Sequence, residues 1–309
     1  MTVEDFTLEK LPESLEPRPV LEDISVVIPT LGRSILETAL SYLLQACAWP
    51  AELIVVDQGS NRDVDLWLER AASWGVRVMH VRSSERGRAA GVNRGFERLR
   101  TPYVAVTDDD CFVDAQWLES MRARLHQYPE AIVTGRVEAA GEAVLVVATS
   151  SSVRVSRHPR LRFDHLSGGN MGTSKRVLEQ VGLLDEDPRV RTAEDGEWAY
   201  RALRRGISLV YAPEITVRHF GWRGAADRVV QYRDYARSQG GFYGKYLRRG
   251  DCFIALRAVV HHGRALRRWV RGTLRGDREL ALYGRAYFTG LLPGILAGLH
   301  APRRQQGSV

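Results

Sequence analysis

The chain has 309 residues, of which 44% are hydrophobic and 26% are charged, with a net charge of +7. This composition is that of a globular protein with one large domain or two modest ones. The three cysteines are too scattered for a disulfide framework or a CxxC metal pair, which is typical of a reducing compartment. Residues 1–19 lack the apolar core of a signal peptide and are predicted to form a loose arm.

The positive charge is concentrated toward the C-terminus. Residues 223–309 hold 17 Lys and Arg against 5 Asp and Glu, whereas the rest of the chain holds 27 against 32. An acidic body disfavours nucleic acid as a partner, and the basic part is predicted to be a separate helical extension.

Strands and helices alternate through the first part of the chain. Continuous apolar, β-branched runs indicate buried strands, and apolar residues spaced three and four apart indicate helices. The predicted strands cover 24–30, 51–60, 76–83 and 103–110, and the predicted helices cover 34–47, 63–75 and 89–100. This alternation indicates parallel βαβ units, whose ligands bind beyond the carboxyl ends of the strands.

The pattern becomes mixed after residue 130. The predicted elements there are strands over 131–141 and 144–155, a glycine loop over 167–174, helices over 175–182 and 192–206, and a strand pair over 207–220 broken at Pro213. Together with the first part they predict one α/β domain over residues 20–222.

Three carboxylates, Asp108, Asp109 and Asp110, directly follow the fourth predicted strand. Oxygen ligands suit Mn²⁺ or Mg²⁺, which bridge diphosphate oxygens with only one or two protein carboxylates. Alternate side chains at a strand end share a face, so Asp108 and Asp110 are expected to point the same way. Together they predict a site for such a metal ion. A solvated acidic turn is the alternative. The sequence has neither a GxGxxG after the first strand nor a GxxxxGK[ST], so a bound phosphate would depend on the metal.

Several motifs in order between Ile24 and Trp222 resemble those of the family 2 glycosyltransferases. They are "VVIPTLGR", "LIVVDQGS", "RGRAAGVNRGF", "VAVTDDDCF", "SGGNMGTSKRVLEQVGLLDE", "AEDGEWAYRALRRG" and "YAPEITVRHF". The resemblance implies the GT-A fold, an α/β, Rossmann-like arrangement with a mixed, mainly parallel sheet flanked by helices. It also implies an inverting enzyme that moves a sugar from a nucleotide diphosphate donor to an acceptor hydroxyl.

The same resemblance implies roles for individual residues. Asp108 and Asp110 would hold the Mn²⁺ or Mg²⁺, and His219 is either a further ligand or a structural histidine. The residues expected around the nucleotide sugar are Pro29, Thr30, Arg33, Asp57, Gln58, Arg88, Asn93, Asp108 and Asp109. Gln58 stands where an acidic residue or Asn is common in the family, so the identity of the nucleotide base is not predicted. Cys111 stands where polar residues are usual and is expected to pack.

Inversion needs a general base on the acceptor hydroxyl, for which Asp195 is the first candidate and Glu194 the second. The alternative for Asp195 is a capping box with Thr192, three residues earlier. The residues expected near the acceptor or sugar are Gly169, Asn170, Trp198 and Trp222. The alternatives are a plain helix-entry loop for the first two and core packing for the tryptophans.

The basic part contains an amphipathic pattern over residues 259–280. Its basic stripe is Arg264, Arg267, Arg268, Arg271, Arg275 and Arg278, and its apolar stripe is Val259, Leu266, Trp269, Val270 and Leu274. Such a helix suits an anionic membrane surface, or it docks on the protein with a solvated arginine face. The apolar segment 286–299 is too short to span a bilayer and contains Pro293, so a monotopic or packing role is expected. These features predict a peripheral protein at the cytoplasmic face of a membrane. A lipid-linked or cell-envelope glycan is a candidate acceptor, although the sequence does not identify the acceptor.

Two other functions compete with glycosyl transfer. A sugar nucleotidyltransferase normally has a glycine- and lysine-rich loop after its first strand, which "PTLGRSI" matches poorly. A non-enzymatic basic adaptor or RNA-binding protein is disfavoured by the acidic body and by the lack of RNA-binding motifs.

Overall fold

The structure is a computed structural model that describes residues 9–141, 150–221 and 225–300. These residues contain nine strands and nine helices. The strands are β1 Val20–Thr30, β2 Trp49–Asp57, β3 Val78–Arg82, β4 Tyr103–Thr107, β5 Cys111–Val113, β6 Ala131–Gly141, β7 Arg154–Ser156, β8 Asn170–Ser174 and β9 Ser208–Gly221. The helices are α1 Ile35–Gln45, α2 Asp63–Ser73, α3 Arg88–Phe96, α4 Trp117–Gln127, α5 Lys175–Val181, α6 Glu194–Arg204, α7 Ala225–Leu247, α8 Cys252–Arg275 and α9 Arg278–Leu299.

All described strands join one sheet in the order β3-β2-β1-β4-β8-β6-β9-β5, with β7 beside β9. The first four strands of this order pair in parallel, as do β6 and β9. The remaining pairs are antiparallel, so the predicted mixed α/β sheet is confirmed. The carboxyl ends of β1, β2 and β4 therefore lie at the same edge of the sheet.

The sheet core explains why these runs became strands. All nine residues of β2 and the last seven of β1 are buried, as expected for parallel strands covered on both faces. Helices α1 and α4 supply Leu40 and Trp117 to the same apolar core, and both side chains are fully buried.

The chain divides into two compact units. The first comprises residues 1–158, 165–184 and 201–222, and the second comprises 159–164, 185–200 and 223–309. The second unit has its own apolar core, which includes Val190, Phe242, Tyr243, Ile254 and Leu291. The predicted boundaries at residues 20 and 222 stay a prediction.

Glycines bring α7 and α9 of the second unit into close contact. A Cβ on Gly240 would lie 2.2 Å from the Leu291 carbonyl oxygen, and one on Gly244 would lie 2.2 Å from that of Ile295. The glycine-rich segment 286–299 lies within α9 and packs against α7, which favours the packing alternative. Within the described ranges, no helix combines the length and apolar character needed to cross a bilayer.

The structure corrects several predicted elements of the sheet unit. Strand β5 and helix α4 were not predicted, and the predicted glycine loop forms β8 from Asn170 onward. The strand pair expected around Pro213 is the single strand β9, because its ladder to β6 resumes after a register shift. The predicted strand over 144–155 lies mostly outside the described residues.

Two predictions at the ends of the chain also change. The helix predicted over 259–280 is two helices, because Gly276 takes a left-handed conformation with φ of 68° and Asp277 caps α9. Residues 9–19 of the predicted arm are not loose at Leu11, which is 4% exposed and joins the core.

Candidate active site

The sheet topology brings the polar ends of three strands together. Thr30 ends β1 and pairs in register with Asp57, which ends β2. The carboxylates of Asp108, Asp109 and Asp110 follow β4 on the other side of β1. The predicted ligand edge of the sheet is therefore the place where these side chains meet.

A tight turn separates the three neighbouring carboxylates, so that Asp108 faces Arg88 while Asp109 and Asp110 face Arg33. The Cys111 amide donates to the Asp108 carbonyl at 3.1 Å, which closes the turn. Asp108 accepts from Arg88 Nε at 2.8 Å. Asp109 accepts from Arg33 Nε at 3.3 Å, and Asp110 lies 3.3 Å from Arg33 Nη2. The mutual repulsion of the triplet is thus offset by two arginines.

Asp109 anchors Arg33 at the site. Its carboxylate is 2% exposed and also accepts from the Thr30 hydroxyl at 2.7 Å. Burial of the Arg33 guanidinium would lower its pKa, but attraction to Asp109 and Asp110 raises the pKa of Arg33. Burial raises the pKa of Asp109 and so opposes its ionisation. We assign the charged pair, because Asp109 faces the guanidinium with both oxygens and gains the threonine hydroxyl as well.

Three potential metal ligands converge beside this ion pair. Cys111 on β5 pairs across the ladder with His219 on β9, so their side chains share a face. His219 Nε2 lies 3.6 Å from Asp110 Oδ1, and Cys111 Sγ lies 4.0 Å from the same oxygen. One donor atom from each of the three residues falls within 4.8 Å of the others.

These residues fit a divalent metal ion. They provide oxygen, nitrogen and sulfur donors, and the neighbouring backbone of Gly169 leaves them room. A Cβ at Gly169 would lie 2.7 Å from Cys111 Sγ and 2.9 Å from Asp108 Oδ2. The sequence predicted Asp110 and His219 for this place but expected Cys111 only to pack. Asp108 lies outside the cluster and pairs with Arg88.

The Cys111 thiol is buried and close to carboxylates. Burial, together with the negative charges of Asp110 and Asp108, raises its pKa well above the ordinary value. Without a metal ion the side chain is therefore a neutral thiol. A bound cation would be needed to stabilise the thiolate.

The end of β2 forms a second polar group at the same edge. Asp57 Oδ1 accepts from the Gly59 amide at 2.8 Å, and its Oδ2 lies 3.5 Å from His80 Nε2. Gln58 donates to the carbonyls of Glu85 at 2.6 Å and Gly87 at 3.0 Å, which fixes the segment before α3. His80 was not predicted, because no motif marks a histidine in the middle of β3.

Helix α3 approaches β1 closely through a glycine. A Cβ at Gly91 would lie 2.8 Å from the Pro29 Cβ. This contact places the helix, with Arg88 at its start, beside the end of β1. Pro29 and Arg88 are therefore found at the predicted edge together with the carboxylates.

Two predicted asparagines serve the fold instead. Asn93 is 1% exposed, and its amide group exchanges two hydrogen bonds with the Leu184 backbone at 3.0 and 2.9 Å. Asn170 is fully buried, accepts from Trp117 Nε1 and donates to the carbonyls of Arg136 and Ile215, each at 2.9 Å. These amide groups are occupied within the protein, and the predicted ligand contacts of Asn93 and Asn170 stay a prediction.

The remaining candidates belong to the second unit, apart from Trp222, which lies outside the described residues. Glu194 begins α6 and is 4% exposed, while Asp195 is half-buried and accepts from the Gly196 amide at 2.6 Å. Trp198 is fully buried, so core packing, not sugar stacking, is its role here.

The capping box weighed for Asp195 does not form. The Glu197 amide donates to the Ala193 carbonyl at 2.9 Å, which makes Ala193 the residue before the helix. The Thr192 hydroxyl donates instead to the Asp234 carbonyl at 3.3 Å. The structural alternative for Asp195 therefore loses its main support.

Comparison with known proteins decides the family. The model of the family described as "Glycosyl transferase family 2" matches residues 25–182, about half of the chain. The chain belongs to glycosyl transferase family 2. This membership confirms the predicted family and the predicted enzyme class, that of enzymes that transfer sugars.

Named relatives of this family 2 glycosyltransferase are much longer than the matched region. It is 25% identical over 261 residues to chondroitin synthase from Escherichia coli, covering 65% of this chain and 38% of that protein. It is 23% identical over 250 residues to hyaluronan synthase from Pasteurella multocida, covering 66% of this chain and 25% of that protein. The chain thus spans well under half the length of these relatives.

A solved mannosyltransferase from Pyrobaculum calidifontis shares the fold. It matches with a TM-score of 0.60 at 15% identity, covering 96% of this chain and 90% of the other. That structure is a complex with GDP-Man and Mn²⁺. At this identity the likeness establishes the GT-A fold of the family 2 glycosyltransferase described above.

Proposed function

We propose that the protein is a metal-dependent inverting glycosyltransferase that moves a sugar from a nucleotide diphosphate to an acceptor hydroxyl. The observation that carries the proposal is the cluster of Asp110, Cys111 and His219 at the carboxyl edge of the sheet. A structural neighbour was solved with GDP-Man and Mn²⁺, which supports a nucleotide sugar and a divalent ion as partners.

A bound Mn²⁺ or Mg²⁺ would neutralise the negative charge that develops on the leaving diphosphate. Asp110 and His219 would hold it, and Arg33 and Arg88 would lie next to the phosphates as additional positive groups. Asp57 would accept a hydrogen bond from the nucleoside, oriented by the Gly59 amide and His80. Pro29, Thr30 and Gln58 would shape the same side of the site.

Inversion requires one displacement at the anomeric carbon. The acceptor oxygen forms the new bond, the bond to the diphosphate oxygen breaks, and the hydroxyl proton leaves to a base. We assign this proton to Asp195, with Glu194 as the second candidate. The half-exposure of Asp195 and the absence of the capping box at Thr192 in the described contacts support the assignment.

A donor-only assay separates the candidate functions. With Mn²⁺ and a panel of UDP- and GDP-sugars, slow donor hydrolysis should release a nucleoside diphosphate. In a parallel reaction with UTP or GTP and a sugar 1-phosphate, release of pyrophosphate would indicate a nucleotidyltransferase. Release of neither product in either reaction would indicate an adaptor. Protein treated with EDTA is the control, and full activity there would overturn the metal requirement.

We further propose that the enzyme works at the cytoplasmic face of an anionic membrane on a lipid-linked or cell-envelope glycan. Helix α8 contains six arginines and no Asp or Glu. Its small residues Ala258, Ala265 and Gly272, spaced by seven, are buried. A Cβ on Gly272 would lie 2.4 Å from the Ala281 amide nitrogen, so this face packs on α9.

The opposite face of α8 exposes a ridge of large apolar side chains. The ridge consists of Leu256, Val259, Leu266, Val270 and Leu274, the last of which is 81% exposed. Arg267 and Arg271 are exposed and follow Leu266 and Val270 directly, so they flank the ridge. Trp269 differs from the predicted stripe because it packs against Phe288.

An apolar ridge beside arginines without acidic residues suits the interface of an anionic bilayer. A second copy of the same surface would bring like charges together, which disfavours self-association. Flotation should show binding to anionic but not to zwitterionic vesicles at low salt. The double variant Arg267→Glu with Arg271→Glu should lose this vesicle binding, whereas the variant Arg98→Glu, at an exposed arginine elsewhere, should keep it. If the double variant floats as well as Arg98→Glu, this surface does not bind the membrane.

A further inference from the structure

The third donor of the candidate metal site is a sulfur atom. Cys111 Sγ lies 4.0 Å and His219 Nε2 lies 3.6 Å from the same oxygen, Asp110 Oδ1. In a tetrahedral site with metal–ligand distances of about 2.0–2.3 Å, donor atoms lie roughly 3.3–3.8 Å apart. Two of the three donor–donor distances are therefore close to those of a four-coordinate ion, and all three donors lie within 4.8 Å of one another.

The second oxygen of Asp110 is used differently. Its Oδ2 faces Arg33 Nη2 at 3.3 Å, while Oδ1 faces the sulfur and the imidazole. An ion bound on the Oδ1 side therefore leaves the contact with Arg33 in place. The donor set needs only a small closure and no rearrangement of the ion pair between Arg33 and Asp109.

The kind of donor decides which ions bind best. Thiolate and imidazole favour Zn²⁺ and Cd²⁺, whereas Mn²⁺ and Mg²⁺ rank low for such ligands. We infer that Asp110, Cys111 and His219 bind a thiophilic divalent ion, Zn²⁺ or Cd²⁺, in competition with Mn²⁺. The competition rests on the proposed function, whereas the binding of Zn²⁺ or Cd²⁺ itself does not.

The binding step involves no change of oxidation state. The S–H bond of Cys111 breaks, a sulfur–metal bond forms, and the proton leaves to solvent. Asp110 contributes a carboxylate and His219 a neutral imidazole nitrogen. The remaining coordination position is open to water.

The test uses Cd²⁺ as probe, since a cadmium–thiolate bond gives an ultraviolet charge-transfer absorption. Cys47 and Cys252 are exposed and free, so the starting protein carries Cys47→Ser and Cys252→Ser. Titration should give this absorption with a single equivalent of Cd²⁺. Adding Cys111→Ser should abolish the absorption and weaken Zn²⁺ binding, measured by competition with a chelating dye, by about 100-fold.

A second variant tests the site in case substitution of the buried Cys111 prevents folding. His219→Gln should keep the cadmium–thiolate absorption but shift its midpoint to at least about tenfold higher Cd²⁺. Thermal unfolding of each variant checks that it is folded. Absence of the absorption in the starting protein, or an affinity for Zn²⁺ that Cys111→Ser leaves unchanged, would overturn the inference.

The competition is measured separately by electron paramagnetic resonance. With UDP or GDP present, Zn²⁺ should release bound Mn²⁺ from the starting protein, and the signal of free Mn²⁺ should return. Failure of Mn²⁺ to bind at all would count against the proposed function. Failure of Zn²⁺ to displace bound Mn²⁺ would count against the shared site.

Discussion

Arg33 and Asp109 form a largely buried ion pair beside Asp110, the carboxylate at the candidate metal site. Removing the arginine leaves Asp109 buried next to a like charge. Arg33→Met should therefore lower the free energy of unfolding by about 1–3 kcal/mol at neutral pH, the lower range because the arginine is partly exposed. Urea denaturation measures the loss.

The same variant should be sensitive to pH. Without Arg33, burial and Asp110 hold the pKa of Asp109 above its unfolded value, as burial already does in the wild type. A raised folded-state pKa contributes stability at low pH that is lost as pH rises through it. The deficit of Arg33→Met should thus shrink on acidification, and adding Asp109→Asn should remove most of it; a deficit independent of pH would contradict this.

Asp110→Asn should abolish sugar transfer and the Mn²⁺ dependence of nucleotide binding. The substitution removes the carboxylate that faces both His219 and Cys111, and it also removes a charge next to Asp109. Folding stability should change little. Calorimetry of UDP and GDP binding with and without Mn²⁺ measures the effect, and full activity of the variant would contradict the metal site.

Asp195→Asn should cut turnover by about 10²–10⁴-fold and leave donor affinity nearly unchanged, as expected for loss of a general base. Glu194→Gln is the matched control, because the two carboxylates are adjacent. If Glu194→Gln alone causes the loss, the base is Glu194. A loss of stability of roughly 1 kcal/mol with full turnover would mean that Asp195 only stabilises the first turn of α6.

Asn170→Ala should destabilise the protein by about 3 kcal/mol or more, because it leaves the Trp117 indole and two backbone carbonyls without their partner. At a low temperature, at which the Asn170→Ala variant is folded, the variant should keep its affinity for the nucleotide-sugar donor. Thermal unfolding and donor titration separate the two effects. A large rise in donor KM with unchanged melting temperature would instead indicate that the Asn170 side chain contributes to donor binding.

The sequence predicted those site residues whose place in the fold follows from their position at the end of a strand. Asp57 and Asp110 follow buried apolar runs, so the topology of parallel strands places them at one edge. Cys111, which stands where polar residues are usual in the family, was expected to pack. Its proximity to His219 becomes visible only from the pairing of β5 with β9. Asn93 and Asn170 resemble motif residues, but their burial depends on contacts far apart in the chain.

Helix α8 shows the same limit. Helical spacing correctly separated apolar from basic positions on α8, yet it could not tell which face packs. The packed face is the one with Ala258, Ala265 and Gly272, because small residues let α9 approach. The larger Leu274 and Val259 are left in solvent, which periodicity alone would have placed inside.

The pairing of the aspartate triplet with arginines has a consequence for the order of events in catalysis. Because Arg33 and Arg88 already balance Asp108 and Asp109, a free Mn²⁺ gains limited attraction on arrival. A diphosphate, by contrast, is attracted by both arginines and can share the ion with Asp110. In the proposed mechanism the cation and the nucleotide sugar should therefore enter together as one complex, and after sugar transfer the cation should leave with the nucleoside diphosphate.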